Sequence, residues 1–430
     1  MESAPASTGL LTDRYEMTML QAALQQGTAD RRCVFEVFAR RLPPGRRYGV
    51  VAGIERVLSA IEAFRFRAAE LEYLSGFLDR PTLDWLADFR FTGDVVGYSE
   101  GELYFPGSPI LTLSGTFAET VLLETLVLSI VNHDCAIASA AARMSSAAGD
   151  RPLIEMGSRR THEESAVAAA RAAYLGGFAS TSNLAAGARF GIPTTGTAAH
   201  SFTLLQDSEA DAFRAQADSL GPETTLLVDT YDIAEGIRRA VETVGPRLGA
   251  VRIDSGDVAV LASQGRRLLD SLGAHKTRIV ISGDLDEFAI AALAVAPVDA
   301  YGVGTSLVTG SGAPTAGMVY KLVEVEGRPV AKRSEDKASR GGRKYAVRRH
   351  RPTGTAVSEI VRSQSEPAPE KGDVPLQRAL LRHGERVGDR LSLEQSRELL
   401  RSRMVSIPWE GLKLSHGDPA IPTIFEEPHA

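Results

Sequence analysis

A single histidine, His200, follows a run of small residues in the stretch IPTTGTAAHSFTLL. Small residues let a backbone or a ligand come close, so His200 suits a catalytic group as well as a hydrogen-bonded core residue. Other polar residues stand at comparable places. Seven short apolar runs, PLIEMGS, GGFAST, IPTTGTA, TTLLVDT, GAVRIDS, RIVISGD and VDAYGVGT, end in or beside unusual residues. In order these are Ser158-Arg159, Ser182-Asn183, His200, Asp229, Arg252-Ile253-Asp254, Gly283-Asp284 and Gly302-Val303-Gly304-Thr305-Ser306. Arg159 and Arg252 are fixed positive charges that suit a carboxylate or a phosphate. Asp229, Asp254 and Asp284 can hold Mg²⁺, orient a histidine or bond ribose hydroxyls. Each also suits a helix N-cap, because each precedes a helical stretch. GVGTSLVTGSGAPTAG is rich in Gly, Ser and Thr, and loops after the last strands of a barrel often bind phosphate through backbone N–H groups. It lacks the Gly-Lys-Ser/Thr of a Walker sequence, and its spacing does not fit GxGxxG. The set points to an anionic, phosphorylated substrate, a carboxylate-bearing second substrate and an assisting magnesium ion.

The elements that must position these residues are regular from about residue 150. Between the apolar runs lie THEESAVAAARAAYL, SNLAAGARF, DSEADAFRAQADSL, DIAEGIRRAVETV, DVAVLASQGRRLLDSL and LDEFAIAALAV. Alternating strand and helix implies a parallel sheet, open or closed into a barrel. Polar and glycine residues recur at one end of the runs, which is where a barrel builds its active site. The first part is mixed. A helix is expected from Thr12 or Asp13, with Asp13 and Glu16 spaced as a capping box. CVFEVFARRLPPGRRYGVVAG and GDVVGYSEGELYFPGSPILTLSG read as strands punctuated by Gly and Pro. TFAETVLLETLVLSIVNHDCAIASAAARM, interrupted by Glu119 and Glu124, reads as a buried helix and not a membrane span. SQSEPAPEKGDV reads as a surface linker, and PLQRALLRHGERVGDRLSLEQSRELLRSRMVSI as helical.

At 430 residues the chain can bury a large core divided between two domains. Hydrophobic residues make up 43%, charged residues 24% and the net charge is −6, so nucleic acid and anionic membrane are not expected partners. The segment from Arg328 to Arg351 is basic and suits either a solvated surface or local attraction for phosphate. Two cysteines, Cys33 and Cys135, form neither a disulfide framework nor a zinc site. With no secretion signal at the N-terminus, a cytoplasmic location is expected.

At these residues the sequence resembles nicotinate phosphoribosyltransferase, and is similar to its short bacterial members. The resemblance runs from about residue 9 to residue 350. It is carried by LLTDRYEMTML, FEVFARRLPPGRRYGVVAG, EGELYFPGSPIL, IEMGSRRTHEESAVAAARAAYLGGFASTSN, GTAAHSF, LLVDTYD, VRIDSGD, SGDLDE and YGVGTSLVTG. It implies an irregular (β/α) barrel of the type II phosphoribosyltransferase kind packed against an α/β sandwich domain. The sandwich would take residues 1–149, the barrel 150–310, and residues 311–430 would return to the sandwich and end in a helical tail. It implies transfer from 5-phosphoribosyl 1-diphosphate (PRPP) to nicotinate, with Mg²⁺ and with ATP as co-substrate, in a homodimer with shared active sites. By matching position, His200 is the phosphorylated histidine and Asp229 its supporting carboxylate. Arg252, Thr197 and Asn183 would bind nicotinate, and Tyr15 would stack on the ring from the partner subunit. Arg159, Gly283, Asp284, Gly304 and Thr305 would bind PRPP, and Asp254 and Asp284 would hold ribose or metal. Asn183 stands where the nicotinamide-using sister family has an aspartate, and a donating amide favours a carboxylate. Met156 stands where that family has an aromatic residue, leaving apolar contact on that side. The competing readings are a nicotinamide or quinolinate phosphoribosyltransferase, or a catalytically silent relative that acts as a binding protein.

Overall fold

The structure, a computed structural model, describes residues 7–332, 339–366 and 370–426. The chain divides into two compact units: Met1–Ala136 with Thr315–Ala430, and Ile137–Pro314. The first, composite unit is built on a seven-stranded antiparallel sheet. Its strands in order are Arg328–Pro329, Met318–Val325, Arg32–Ala39, Leu111–Thr116, Asp94–Tyr98, Gln377–Arg382 and Glu385–Arg386. A four-stranded sheet, Val374–Pro375, Lys344–His350, Ala356–Ser363 and Thr423–Glu426, completes it. One contiguous core joins Leu20, Val37, Val57, Phe64, Leu86, Leu113 and Val131, all buried.

Several expectations for this unit change. The helix Arg14–Gln25 begins where expected, but Asp13 makes no side-chain cap. Glu16 turns inward instead and accepts from Thr12 Oγ1, Thr125 N–H (3.0 Å) and Thr125 Oγ1 (2.5 Å), so no capping box forms. Among the described residues of the tail, only Leu393–Ser406 is a long helix. PLQRALLRHGER is a hairpin instead, because His383 (φ 50°) and Gly384 (φ 78°) both take the left-handed conformation of a two-residue turn. Where it is described, the basic segment is mixed: Arg328, Lys332, Arg340 and Arg351 are exposed, as a solvated surface requires. Strand alternation turns Lys344 and Arg348 inward, onto Glu36 and onto Glu102 with Glu359. Residues 333–338 of that segment, and 367–369 of the expected linker, lie outside the described residues. The apolar stretch forms the helices Phe117–Val121 and Glu124–Ala148. Together they are long and apolar enough to span a bilayer, but 67% of the most apolar window is buried inside the fold, as a core helix requires.

The second unit, the barrel unit, carries six parallel strands. In chain order they are Leu153–Glu155, Ser180–Thr181, Thr225–Leu227, Ala250–Ile253, Arg278–Ile281 and Ala300–Val303. Consecutive strands are neighbours except across one gap, and the sixth pairs back onto the first. That return is the pairing of a (β/α) barrel and not of an open sheet. Six helices connect the strands close to where the sequence places them: Glu163–Leu175, Leu184–Phe190, Glu209–Leu220, Ile233–Val244, Val258–Ser271 and Glu287–Ala292.

The third apolar run departs from expectation. IPTTGTA contributes a single bridge, Thr194 to Thr181, and no strand of its own. The bonds from Thr181 N to Pro193 O (3.0 Å) and from Thr195 N to Thr181 O (2.9 Å) hold it against the second strand. Nothing in the sheet pairing joins it to the strand Thr225–Leu227. The barrel therefore has one seam without ladder bonds, and the chain crosses that seam through Thr195–Ala199 into the short helix His200–Leu205.

Candidate active site

Two connected cavities lie at the C-terminal ends of the barrel strands. One, of about 230 Å³, is lined by Arg159, Arg160, Gly283, Asp284, Gly304 and Thr305 among others. The other, of about 330 Å³, is lined by Ser158, Ser182, Leu227 and the whole stretch Thr195 to His200. Met156, Arg159, Arg252 and Asp254 line both. The first lobe is basic and glycine-rich. The second is lined by small side chains, Met156, Leu227 and the histidine. Met156 can lie along the wall because residue 302 is glycine: a Cβ there would sit 2.7 Å from the Met156 sulfur. Gly283, at φ +121°, takes a conformation that L side chains rarely adopt, which fits glycine at that turn.

The aspartates resolve into two classes. The N-caps of the three helices are Asp232, Asp257 and Asp286, whose side chains accept from the N–H groups of Glu235, Val260 and Ala289. Asp229, Asp254 and Asp284, two or three residues earlier, are thereby released from capping. Asp229 is nearly closed off, with its side chain 1% exposed. Its Oδ2 accepts from the Asp254 N–H (2.8 Å) and the Ser255 hydroxyl (3.0 Å). Its Oδ1 is buried without a hydrogen-bond partner and lies 3.9 Å from His200 Nε2. That separation is longer than a hydrogen bond, so the pair is aligned but not joined. The other ring nitrogen, Nδ1, is 3.1 Å from Thr230 Oγ1. His200 thus reaches across the unpaired seam to residues at the end of the third strand.

Arg252 stands where the two lobes meet. Its Nε donates to Ser282 Oγ (2.7 Å), Nη1 to Thr197 Oγ1 (3.2 Å) and Nη2 to Asp254 Oδ1 (3.1 Å). A guanidinium has five N–H donors. One N–H on each terminal nitrogen is therefore left over, and the side chain is 14% exposed towards the cavity. Burial tends to raise the Asp254 pKa, but the Ser282 hydroxyl and the Arg252 charge outweigh it and hold the carboxyl below its usual range. Asp284 is exposed in the other lobe. Among the described residues no cluster of three or more His, Cys, Asp or Glu forms a ready-made metal cage. Two carboxylates beside a basic cleft nevertheless fit Mg²⁺, which is commonly held by one or two carboxylates with substrate phosphates and water supplying the rest.

Two expected residues lie elsewhere. Asn183 is not among the residues lining either lobe. Its Oδ1 caps the helix Leu184–Phe190 by accepting from Ala186 N–H (2.9 Å), and its Nδ2 donates to Ser158 Oγ (3.0 Å). The residues facing the cavity are Ser158 and Ser182. Tyr15 belongs to the composite unit, on the helix Arg14–Gln25, and is 46% exposed. Burial of its hydroxyl side and the neighbouring carboxylates Glu124 and Glu16 push its pKa up to about 12.

Sequence reasoning missed Ser282, Thr230 and Glu155. Glu155, almost wholly buried at the end of the first strand, accepts from Thr181 Oγ1 (2.5 Å) and Gly157 N–H (2.5 Å), and burial raises its pKa. A carboxylate inside the apolar run PLIEMGS was a usable signal, since a buried charge needs partners.

The family model for the nicotinate phosphoribosyltransferase (NAPRTase) N-terminal domain matches residues 10–132, and that for the NAPRTase family matches residues 152–353. The chain is 62% identical over 427 residues to nicotinate phosphoribosyltransferase pncB1 of Mycobacterium tuberculosis, covering 96% of this chain and 94% of the relative. It resembles the crystal structure of human nicotinic acid phosphoribosyltransferase with a TM-score of 0.84 and 27% identity, over 97% of each chain. It also resembles nicotinate-nucleotide pyrophosphorylase from Pyrococcus furiosus, with a TM-score of 0.79 and 25% identity over 94% of this chain and 98% of the other. The chain belongs to the nicotinate phosphoribosyltransferase family.

Proposed function

We propose that this enzyme joins nicotinate to PRPP, releasing nicotinate mononucleotide and diphosphate in NAD biosynthesis, with ATP hydrolysis coupled through phosphorylation of His200. The observation that carries the reading is Arg252: a guanidinium with two unclaimed donors where a basic lobe meets a partly apolar one. Nicotinate places its carboxylate on those donors, since a guanidinium fork matches a carboxylate in two prongs. Thr197 and Met156 line its ring lobe, and Tyr15 of the partner subunit supplies the second face of the ring in a homodimer. Arg159, Gly283, Gly304 and Thr305 take the phosphate groups of PRPP.

The pyridine nitrogen displaces diphosphate at the anomeric carbon, and positive charge develops on the ribose. The nucleophile already has a lone pair, so no strong base is needed. Asp254 lies close enough to the shared part of the cavity to favour that charge. Asp254 and Asp284 would hold Mg²⁺, which neutralises the diphosphate leaving group. The arginines add fixed positive charge on the same side.

His200 is the phosphoryl acceptor for ATP. The unpartnered Oδ1 of Asp229 supports this role: a small approach would let it accept a hydrogen bond from Nε2–H and steady the positive charge that the ring gains on phosphorylation. The ring then carries its lone pair on Nδ1, where only the Thr230 hydroxyl has to yield. The fold places the most apolar helix in the interior, and both cysteines are buried, as suits a cytoplasmic enzyme. The test is incubation with γ-labelled ATP. Acid-labile, base-stable label is expected on the wild-type protein and none on His200→Ala. Label that persists in the variant would remove His200 from the account.

A further inference from the structure

We propose that Ser282 is a positioning residue that aims Arg252 at the substrate carboxylate. The proposal rests on the reading that Arg252 binds nicotinate. Ser282 is the first residue past the fifth barrel strand, and its N–H is held by Ile253 O at 3.0 Å. It is 3% exposed. Its hydroxyl has one hydrogen, and the neighbours fix where that hydrogen goes. Arg252 has only donors and an ionised Asp254 has only acceptors. The hydroxyl therefore accepts from Arg252 Nε (2.7 Å) and donates to Asp254 Oδ1 (2.5 Å). The Arg252 Nη2 bond to the same Oδ1 (3.1 Å) closes a ring of three side chains from two adjacent strands.

This ring settles two matters. It holds the guanidinium plane from one edge, so that the remaining N–H groups on Nη1 and Nη2 face a fixed direction. It also inserts an oxygen between Nε and Asp254. Without that oxygen the arginine and the aspartate can close into a two-pronged ion pair, and the arginine is then satisfied by the protein instead of by the ligand. Ser282 also borders the basic lobe, but its hydroxyl is engaged by Arg252 and Asp254. It acts through Arg252 and Asp254.

The test compares Ser282→Ala, Ser282→Cys and Ser282→Thr in the full-length enzyme, with nicotinate and PRPP varied separately. Ser282→Ala should raise KM for nicotinate about tenfold, the scale of one hydrogen bond to a charged group. Its kcat should stay within about threefold and its PRPP KM within about twofold on that scale. Ser282→Cys, which keeps the volume but donates weakly, should fall between, and Ser282→Thr should return the nicotinate KM towards wild type. An unchanged nicotinate KM in Ser282→Ala, or equal losses for both substrates, would overturn the proposal. A wild-type nicotinate KM in Arg252→Gln would overturn the underlying reading, and this proposal with it.

Discussion

Two arginines, one in each unit, show how the same side chain is used for opposite ends. Arg348 in the composite unit is 1% exposed and meets two carboxylates, with Nη1 on Glu102 and Nη2 on Glu359 at 2.8 Å. Nη2 also donates to Leu103 O (2.8 Å). The carboxylates are completed in turn: Tyr98 OH donates to Glu359 (2.7 Å) and Arg403 Nε to Glu102 (2.7 Å). Arg252 in the barrel unit has one carboxylate and two hydroxyls, and faces a cavity. Apart from Arg348 Nε, which is buried without a partner, the first network is closed by the protein. The other leaves donors, and the nearby Asp229 leaves an acceptor, for something that is not the protein. Buried polar groups in a folded chain are normally satisfied, so an organised deficit marks a site.

That contrast predicts which variants lose the fold and which lose the chemistry. Arg348→Ala leaves two buried carboxylates without their shared cation and should destabilise the protein by about 3–5 kcal/mol in urea unfolding. Arg252→Gln should leave the melting temperature within a few degrees. Its kcat/KM for nicotinate should fall by a factor corresponding to about 2–4 kcal/mol, read by steady-state kinetics. If both variants instead lost stability equally, the distinction between a closed and an open network would fail. Asp229→Asn keeps the shape and the bonds to Asp254 N–H and Ser255, but gives up the charge facing His200. It should cut ATP stimulation about tenfold, roughly the worth of one such contact, while the reaction without ATP changes little.

Glu16 sharpens the comparison at the small end. This buried carboxylate in the composite unit is held by neutral donors, and burial pushes its pKa up to about 7, against which the Thr125 hydroxyl and N–H work. The folded state therefore keeps a proton that the unfolded state releases near pH 4.5. Its contribution is fully present below that pH and is lost as pH rises towards 7. Glu16→Gln should remove this downward slope, on the order of 1 kcal/mol, from stability measured between pH 5 and 7.

Much of the barrel was legible because periodicity is a local signal. Helices such as Ile233–Val244 and Val258–Ser271 fall within a residue or two of DIAEGIRRAVETV and DVAVLASQGRRLLDSL. The pairs Asp229/Asp232 and Asp254/Asp257 show where local reading stops. Both members are aspartates near a helix start, and only the backbone geometry decides which one caps. The ladder of IPTTGTA depends on a partner strand that is not beside it in sequence, so its collapse to one bridge at Thr194 could not be read. Asn183 and Ser158 are 25 residues apart, and their hydrogen bond moves the cavity-facing role from the amide to serine hydroxyls. The hairpin at His383-Gly384 was missed because LLRHGER carries leucines at a spacing that also suits a helix. Ser282 escaped notice because a serine among apolar residues has no signature until its neighbours across two strands are known.

The central claim is that the open donors of Arg252 select a pyridine carboxylate. The most direct test is mononucleotide formation from PRPP and Mg²⁺ with nicotinate, nicotinamide or quinolinate, each with and without ATP. The account predicts product from nicotinate, strongly stimulated by ATP, and little from the other two. Preferential use of nicotinamide, which has no carboxylate for Arg252 to hold, would contradict it.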